Sequence, residues 1–323
     1  MPNIPSGTTP FIITDSDKTY TLAGNAHRNT NNAIEIDDTA ENDTLVIKGQ
    51  VKATGDGFAG IVTNGLDITI EVNNGASVIG DFGIYSESPE TSSTLKIVNN
   101  GLIDGDTYAI QTFDSREVVI NHGTIKGKID LGSGKDFFDN RGGHLDHKVA
   151  GGTGNDTLVV DNAATRLLEN GGSAGYDTVK STVSYVLSEN VEQLILIGNG
   201  NTNATGNSDQ SDLFGNAGNN KLFALGGADS LSGGKGNDKL TGGADGDTFV
   251  FKTGFDHDTI TDFQNGLDEV NLVYWAAVES FSELKHHLTF DHGDAIIKAG
   301  DDVLVIRGLS KTELDASDFS FPL

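Results

Sequence analysis

The sequence contains no cysteine, only 5 prolines and few basic residues, and each shortage disfavours a class of protein. Without cysteine, neither disulfides nor thiolate-bound zinc or iron–sulfur clusters can hold the fold. Aspartate and glutamate number 47 against 21 lysines and arginines, so the formal net charge is -26 over 323 residues. Binding to nucleic acid is therefore disfavoured, because a phosphate backbone requires a basic surface.

Long hydrophobic runs are also missing. Hydrophobic residues make up only 36% of the chain, and no window reaches the roughly 18 apolar residues of a membrane-spanning helix. The start, Met1–Gly7, has neither the basic region nor the apolar core of a signal peptide. We therefore expect either a cytoplasmic protein or one exported by a route that does not read the N-terminus.

Glycine is abundant, with 42 residues, and much of it belongs to repeats. In the N-terminal part, short β-branched runs recur and each leads to a glycine corner (Gly55, Gly80, Gly105, Gly127). The runs are Thr44–Lys48, Asp67–Val72, Thr94–Val98 and Glu117–Ile120. A short strand, a glycine corner and another short strand make one coil of a parallel β-solenoid. Asn73, Asn99 and Asn121 follow the later runs, and we predict that they stack about 4.8 Å apart as a ladder.

A second repeat has nine residues and continues without a gap over residues 206–250. Its eighth place is always apolar, and its sixth place reads Ser211, Asn220, Asp229, Asp238 and Asp247. One inward hydrophobe per unit gives a core too thin to offset the backbone entropy of so many glycines, about 1–2 kcal/mol for each ordered residue. Bound cations would supply the missing stability, and the oxygens of aspartates and glycine turns suit calcium better than magnesium.

The nine-residue pattern G-G-x-G-x-D-x-U-x resembles the RTX (haemolysin-type) calcium-binding repeat. Gly151–Val159 is a further full copy, Leu131–Phe138 lacks the first glycine, and Gly171–Val179 carries one extra residue. In that family two units make one turn, so the resemblance implies calcium between the loops of units n and n+2. The ligands would be sixth-place aspartates and backbone carbonyls.

Carried onto this sequence, the resemblance pairs Asp229 with Asp247, and Asn220 with Asp238. The first pair is expected to be the stronger site, because Asn220 and Ser211 depart from the pattern. The residues that the resemblance implies for the metal sites are Asp156, Asn220, Asp229, Asp238, Asp245, Asp247, Gly151, Gly152, Gly154, Gly227, Gly233, Gly234, Gly236, Gly242 and Gly243.

The chain after residue 250 is similar to the segment that follows the β-roll in serralysin-type C-terminal domains, notably at Asp258–Phe263 and Val303–Leu309. Capping boxes at Ser280–Glu283 and Ser310–Glu313 predict two short helices within it. In the family this tail holds an uncleaved export signal. The resemblance therefore implies type I secretion from a Gram-negative bacterium to the extracellular space or cell surface, with folding when calcium neutralises the aspartates outside.

The repeats Val72–Gly75, Val98–Gly101 and Ile120–Gly123 resemble those in the passenger β-helices of autotransporter adhesins. The zinc motif of the serralysin proteases is absent, so we do not expect a protease of that kind. The first hypothesis is accordingly a non-enzymatic extracellular protein of the cell surface, biofilm matrix or surface layer. Its partners would be calcium, the type I secretion machinery and other copies of itself.

The alternative is a calcium-dependent lyase or uronate epimerase acting on acidic polysaccharide, since parallel β-helices also host those enzymes. Its candidate residues are Asp106, Tyr108, Arg116 and His122 on adjacent predicted coils, although a solvated or corner side chain is the simpler interpretation of each. Ser173 matches the nucleophile-elbow pattern, but it overlaps an RTX-like loop, so we do not expect catalysis there.

The predicted fold class is therefore all-β, in four segments. Residues 1–131 form a parallel β-helix and residues 132–205 form degenerate RTX-like turns. Residues 206–250 form a calcium-binding β-roll, and residues 251–323 form a β-rich C-terminal cap with short helices.

Overall fold

The computed structural model describes residues 10–28, 31–87, 93–169 and 175–322. The fold in these ranges is almost entirely β, as the sequence predicts. The chain divides into two compact units, Met1–Asp177 and Thr178–Leu323, and this boundary falls inside the segment of expected degenerate repeats. Among the described residues, no helix has both the length and the apolar character needed to cross a membrane.

The first unit contains the strands β1 to β20. They are β1 (Phe11–Ile13), β2 (Thr19–Leu22), β3 (Ala26–Arg28), β4 (Ile34–Ile36), β5 (Thr44–Ile47), β6 (Gln50–Ala53), β7 (Ala59–Thr63), β8 (Thr69–Val72), β9 (Ser77–Ser86), β10 (Thr94–Asn99), β11 (Leu102–Gln111), β12 (Arg116–Asn121), β13 (Thr124–Asp130), β14 (Ser133–Gly134), β15 (Phe137–Asp139), β16 (His144–Leu145), β17 (Val149–Ala150), β18 (Thr153–Gly154), β19 (Thr157–Val160) and β20 (Leu167–Leu168).

The second unit contains the strands β21 to β35, one α-helix and one 3₁₀ helix. They are β21 (Thr178–Ser181), β22 (Tyr185–Val186), β23 (Gln193–Leu196), β24 (Asn203–Thr205), β25 (Asp212–Phe214), β26 (Lys221–Gly226), β27 (Ser230–Ser232), β28 (Lys239–Ala244), β29 (Thr248–Lys252), β30 (His257–Ile260), β31 (Glu269–Tyr274), α1 (Phe281–His287), β32 (Leu288–Asp291), β33 (Asp294–Ala299), β34 (Asp302–Ile306), the 3₁₀ helix (Ala316–Asp318) and β35 (Phe319–Ser320).

Parallel pairing between successive coils builds the first unit. Leu45 of β5, Ile70 of β8, Ile97 of β10 and Val119 of β12 stand in register and are buried. Each coil thus contributes an inward apolar side chain to a continuous column, as alternation along a strand requires. The four β-branched runs are strands, which confirms the prediction for this part of the chain.

A buried asparagine ladder fixes one edge of these coils. Asn99 Nδ2 donates to Asn121 Oδ1, and Asn121 Nδ2 donates to Asn140 Oδ1, each over 2.8 Å. The ladder was expected to include Asn73, but Val72 takes the place beside Asn99 in the register of β8 and β10. The stack therefore continues toward Asn140 instead, where a polar partner is available.

In the second unit the nine-residue repeats alternate between two sheets. Leu213, Leu231 and Phe249 are in register on β25, β27 and β29, and Leu222 and Leu240 are in register on β26 and β28. All five are fully buried. Two repeat units therefore make one turn of the solenoid, and the loops of units n and n+2 lie in adjacent coils.

The end of the second unit changes from parallel to antiparallel pairing. β34 pairs with β30 in parallel, and β33 and β32 add to it as antiparallel strands. Helix α1 begins at the predicted cap, where Ser280 Oγ accepts from the Glu283 amide. The prediction of a helix at Ser310–Glu313 is wrong. The Ser310 amide donates to the Glu313 carboxylate, but this bond closes only a turn. The 3₁₀ helix begins later, where the Asp315 carboxylate accepts from the Ser317 amide.

Candidate metal centre

The sixth-place side chains form columns of buried carboxylates. In each step, the Oδ1 atom of an aspartate accepts from the backbone amide of the corresponding residue one coil earlier. Asp247 Oδ1 accepts from the Asp229 amide over 3.0 Å, and Asp258 Oδ1 accepts from the Asp238 amide over 2.8 Å. We name these columns the first ladder (Glu117, Asp136, Asp156, Asp177), the second ladder (Asp229, Asp247, Asp268) and the third ladder (Asp238, Asp258).

The second carboxylate oxygen of most ladder residues has no protein partner. Buried Oδ2 atoms without a hydrogen bond belong to Asp136, Asp156, Asp229, Asp238, Asp247 and Asp258. A buried ionised oxygen without a partner is costly, so such a column is stable only with protons or cations on it. The ion pairs at Lys18, Arg141, His147 and His292 are formed with Asp15, Asp139, Asp146 and Asp291, which lie outside the ladders.

First-place glycines make room for these oxygens. A Cβ atom on Gly242 would overlap Asp247 Oδ2, and one on Gly233 would overlap Asp238 Oδ2. Gly151 has the same relation to Asp156. Each aspartate therefore folds back over the glycine that opens its own repeat.

Glycines at the second and fourth places have a different role. Gly152, Gly154, Gly227, Gly234, Gly236 and Gly243 all have positive φ, a region that disfavours other side chains. Asp245 occupies a fourth place with φ of 75°, its side chain is exposed, and its Oδ2 accepts from the Gly227 amide at 3.4 Å. These turns let neighbouring loops approach: a Cβ on Gly243 would overlap the carbonyl oxygen of Leu225 one coil earlier.

Burial raises the pKa values of the carboxyl groups in the second and third ladders, and neighbouring carboxylates raise them further. The pKa rises to about 7 for Asp229, about 6 for Asp238 and Asp247, and about 8 for Asp258. Burial likewise raises the pKa of Asp156. Backbone amides oppose this effect only in part, because each serves a single oxygen. Ionisation of these carboxyl groups is therefore disfavoured unless a cation lies beside them.

This donor set fits calcium. The ladders offer carboxylate oxygens beside glycine turns whose carbonyl groups lie close together, and neither cysteine nor histidine belongs to them. Hard oxygen ligands favour calcium over the softer transition metals. The oxygens without partners can bind an ion, and the glycines beside them leave space for it because they have no Cβ.

Asn220 and Ser211, at the start of the third and second columns, already have partners. The Asn220 amide nitrogen donates to the Thr202 carbonyl over 2.7 Å, and its oxygen accepts from the Asn216 amide over 2.9 Å. The Ser211 hydroxyl donates to Asn207 Oδ1 and to the Asp209 carbonyl. A neutral side chain closes each column without a partnerless oxygen.

Sequence reasoning did not identify several ladder members as candidates. These are Glu117, Asp136, Asp177, Asp258 and Asp268. Asp258 and Asp268 follow their partners by 20 and 21 residues rather than 18, which breaks the nine-residue register. The signal that could have found the aspartates is an aspartate two residues before an inward apolar side chain, a spacing that also survives in the longer coils.

The structure does not bring the four catalytic candidates together. Tyr108 belongs to β11, whereas Arg116 begins β12 in the other sheet and His122 directly follows that strand, roughly 20 Å from Arg116 at 3.3 Å per residue. Asp106 is exposed, Arg116 Nε donates to the Lys135 carbonyl, and His122 Nδ1 contacts the Arg141 carbonyl. Ser173 lies outside the described residues.

A groove of about 730 Å³ opens beside Tyr108 in the first unit. The Tyr108 ring stacks on Phe82 of the neighbouring coil at 6.1 Å, and Lys128 Nζ lies 5.5 Å from the ring centre. His144, His147 and Lys148 are exposed on the same wall. Aromatic and basic side chains are therefore grouped here, together with Asp130 and Asp146.

Comparison with known proteins supports the interpretation of the repeats. Residues 214–249 and 223–260 match the family model of the RTX calcium-binding nonapeptide repeat, so the chain contains RTX repeats. No curated protein matches the chain. Among solved structures, the extracellular lipase LipA of Serratia marcescens is similar at 17% identity with a TM-score of 0.30. That similarity covers 72% of this chain, and the chain spans 45% of the lipase.

Proposed function

We propose that this protein is an extracellular calcium-binding protein whose solenoid folds when calcium binds its carboxylate ladders. The observation that carries the proposal is the column of buried Oδ2 atoms without partners. Asp229 with Asp247 would hold one ion, and Asp238 with Asp258 another. Carbonyl groups of the glycine turns would complete each site.

Calcium-dependent folding agrees with export through the type I secretion machinery of a Gram-negative bacterium. Cytosolic calcium is scarce, so the carboxylates repel one another and the chain stays unfolded for passage. Outside the cell, calcium is abundant and binding free energy becomes folding free energy. The absence of cysteine agrees with this order of events, because no disulfide can lock the chain early.

We propose a non-enzymatic role in adhesion or self-assembly at the cell surface. Support comes from large apolar side chains on the outer face of the second unit. Val186 and Phe223 are exposed, and both pair with Thr205 in one row across β22, β24 and β26. Leu225, farther along β26, is 54% exposed. An outward apolar row of this kind favours contact with another protein surface.

Light scattering during a calcium titration tests the assembly. We expect large particles to form with calcium and to disperse when chelator is added, because only the folded solenoid presents the row. Phe223→Thr, which matches the neighbouring Thr241 in register, is expected to reduce the particle size without changing calcium binding. A calcium-saturated wild-type chain that stays monomeric would argue against self-assembly.

The groove beside Tyr108 favours a second candidate, recognition of an acidic polysaccharide. Tyrosine rings bind sugar faces, and Lys128 with Lys148 can pair with uronate carboxylates. A lyase or epimerase activity would require a base at this groove. Of the four catalytic candidates, Tyr108 alone lines it.

Tyr108→Ala separates the two candidates. It is expected to weaken binding of a soluble polyuronate by about tenfold, because it removes both the stacking face and the partner of Lys128. Tyr274→Ala is the matched control, since Lys252 Nζ lies 5.1 Å from the exposed Tyr274 ring in the other unit. Equal polyuronate affinity for both variants and the wild type would show that the groove is not the binding site. If the wild type forms a cleavage or epimerisation product from the polyuronate and Tyr108→Phe does not, the protein is an enzyme.

A further inference from the structure

A glutamate from outside the nonapeptide pattern stands beside the first ladder. Glu169 directly follows β20, and β20 pairs with β17 so that Leu168 lies opposite Ala150. The next residues along these strands are Glu169 and Gly151, the first-place glycine of the repeat Gly151–Val159. A glutamate therefore occupies the place next to this turn in the following coil.

Three carboxylates converge at this point. One oxygen each from Asp156, Glu169 and Asp177 lies within 4.8 Å of the others. Asp156 is only 2% exposed, and its Oδ2 has no hydrogen-bond partner. A Cβ atom on Gly151 would overlap both Asp156 Oδ2 and Glu169 Oε1, so these two oxygens point to the same small space above the glycine.

Glu169 lies beside two other carboxylates. Burial, together with the charges of Asp177 and Asp156, raises the pKa of Glu169 to about 9. Backbone amides of Gly152 and Gly151 act in the opposite direction. Asp177 continues the column, since its Oδ1 accepts from the Asp156 amide over 2.8 Å. A divalent cation would neutralise the negative charge that these carboxylates bring together.

We propose that Asp156, Glu169 and Asp177 bind one calcium ion, with Glu169 as a ligand that the RTX repeat does not supply. The inference rests on the proposed function and extends it to a specific site. The three carboxylates bring three negative charges, and no other group of three His, Cys, Asp or Glu side chains among the described residues comes within 4.8 Å in this way. Because calcium affinity rises with the number of charged ligands, this site is the tightest in the chain and fills first.

Calorimetric titration of calcium into the metal-free full-length chain tests the assignment. Glu169→Gln keeps the size of the side chain and removes its charge, so we expect the tightest phase to weaken by at least about tenfold. Glu41→Gln, at an exposed glutamate of the same unit, is expected to leave that phase unchanged. Asp247→Asn is expected to lose weaker sites and keep the tight one.

The outcomes separate this inference from the proposed function. A wild-type chain that takes up no calcium would overturn both. Calcium uptake with an unchanged tight phase in Glu169→Gln would overturn only the role of Glu169. If Glu169→Gln does not fold in calcium, Glu169→Asp retains the charge on a shorter side chain. That variant is then expected to fold and to weaken the tight phase, and unchanged affinity in it would overturn the inference.

Discussion

Without calcium, lowering the pH from about 8 to about 5 is expected to stabilise the folded chain, the reverse of ordinary acid denaturation. The ladder carboxyl groups have raised pKa values, about 6 for Asp238 and Asp247, about 7 for Asp229 and about 8 for Asp258. In the unfolded chain these groups titrate near 3.8. Between those values the folded state binds more protons than the unfolded state, so its stability falls as the pH rises.

Calcium is expected to change the sign of this dependence. Protons compete with calcium for the same oxygens, so calcium affinity weakens as the pH falls. The calcium-loaded chain should therefore lose stability on acidification over the range in which the metal-free chain gains it. The folded fraction in chelator, read by circular dichroism between pH 5 and pH 8, and urea unfolding in calcium over the same range measure both slopes. Parallel pH profiles in the two conditions would show that the ladders do not bind the ion.

Replacing Asp247 with asparagine is expected to have opposite effects on the two states of the protein. Asp247 belongs to two steps of the second ladder, toward Asp229 and toward Asp268. Without calcium the variant should be more stable at neutral pH, on the order of 1 kcal/mol, because a buried charge is removed. With saturating calcium it should lose about 3 kcal/mol for each site lost. Thermal unfolding in calcium measures the loss, and the β signal retained in chelator, read by circular dichroism, measures the gain.

Asparagine already occurs at a sixth place of this chain, so the substitution should fit the fold. Asn220 already holds a sixth place, where its amide finds partners in Thr202 and Asn216. Asp209→Asn is the matched control: Asp209 is an exposed aspartate of the first nine-residue unit, so its loss should change neither state by more than about 0.5 kcal/mol. If Asp247→Asn destabilised the metal-free chain as much as the calcium-loaded chain, the side chain would be structural rather than a metal ligand.

The repeat register could be predicted from the sequence because one apolar residue in each unit must point inward. Leu213, Leu222 and Leu231 specify a nine-residue spacing that admits no other alignment, and the two-unit turn follows the family resemblance. The β-branched runs of the first unit were predicted for the same reason. The second helix was predicted at the wrong place, because the hydrogen bonds at Ser310 close a turn as readily as they begin a helix.

The nine-residue spacing identified ladder members only where it is regular. Asp258 and Asp268 follow longer loops, so their alignment depends on strand pairing rather than on sequence distance. Glu169 carries no local signal at all, since only the pairing of β17 with β20 brings it next to Gly151. The candidates Arg116 and His122 failed to meet because five residues of extended strand lie between them.

The most direct test of calcium-dependent folding is the first point of the pH series. Far-ultraviolet circular dichroism of the chain at pH 8 would be recorded in chelator and again after calcium is added. The ladders predict a largely unfolded spectrum that converts to a β spectrum as calcium is bound. A complete β spectrum in chelator, with no change on adding calcium, would contradict the central claim that the carboxylates need the ion to fold.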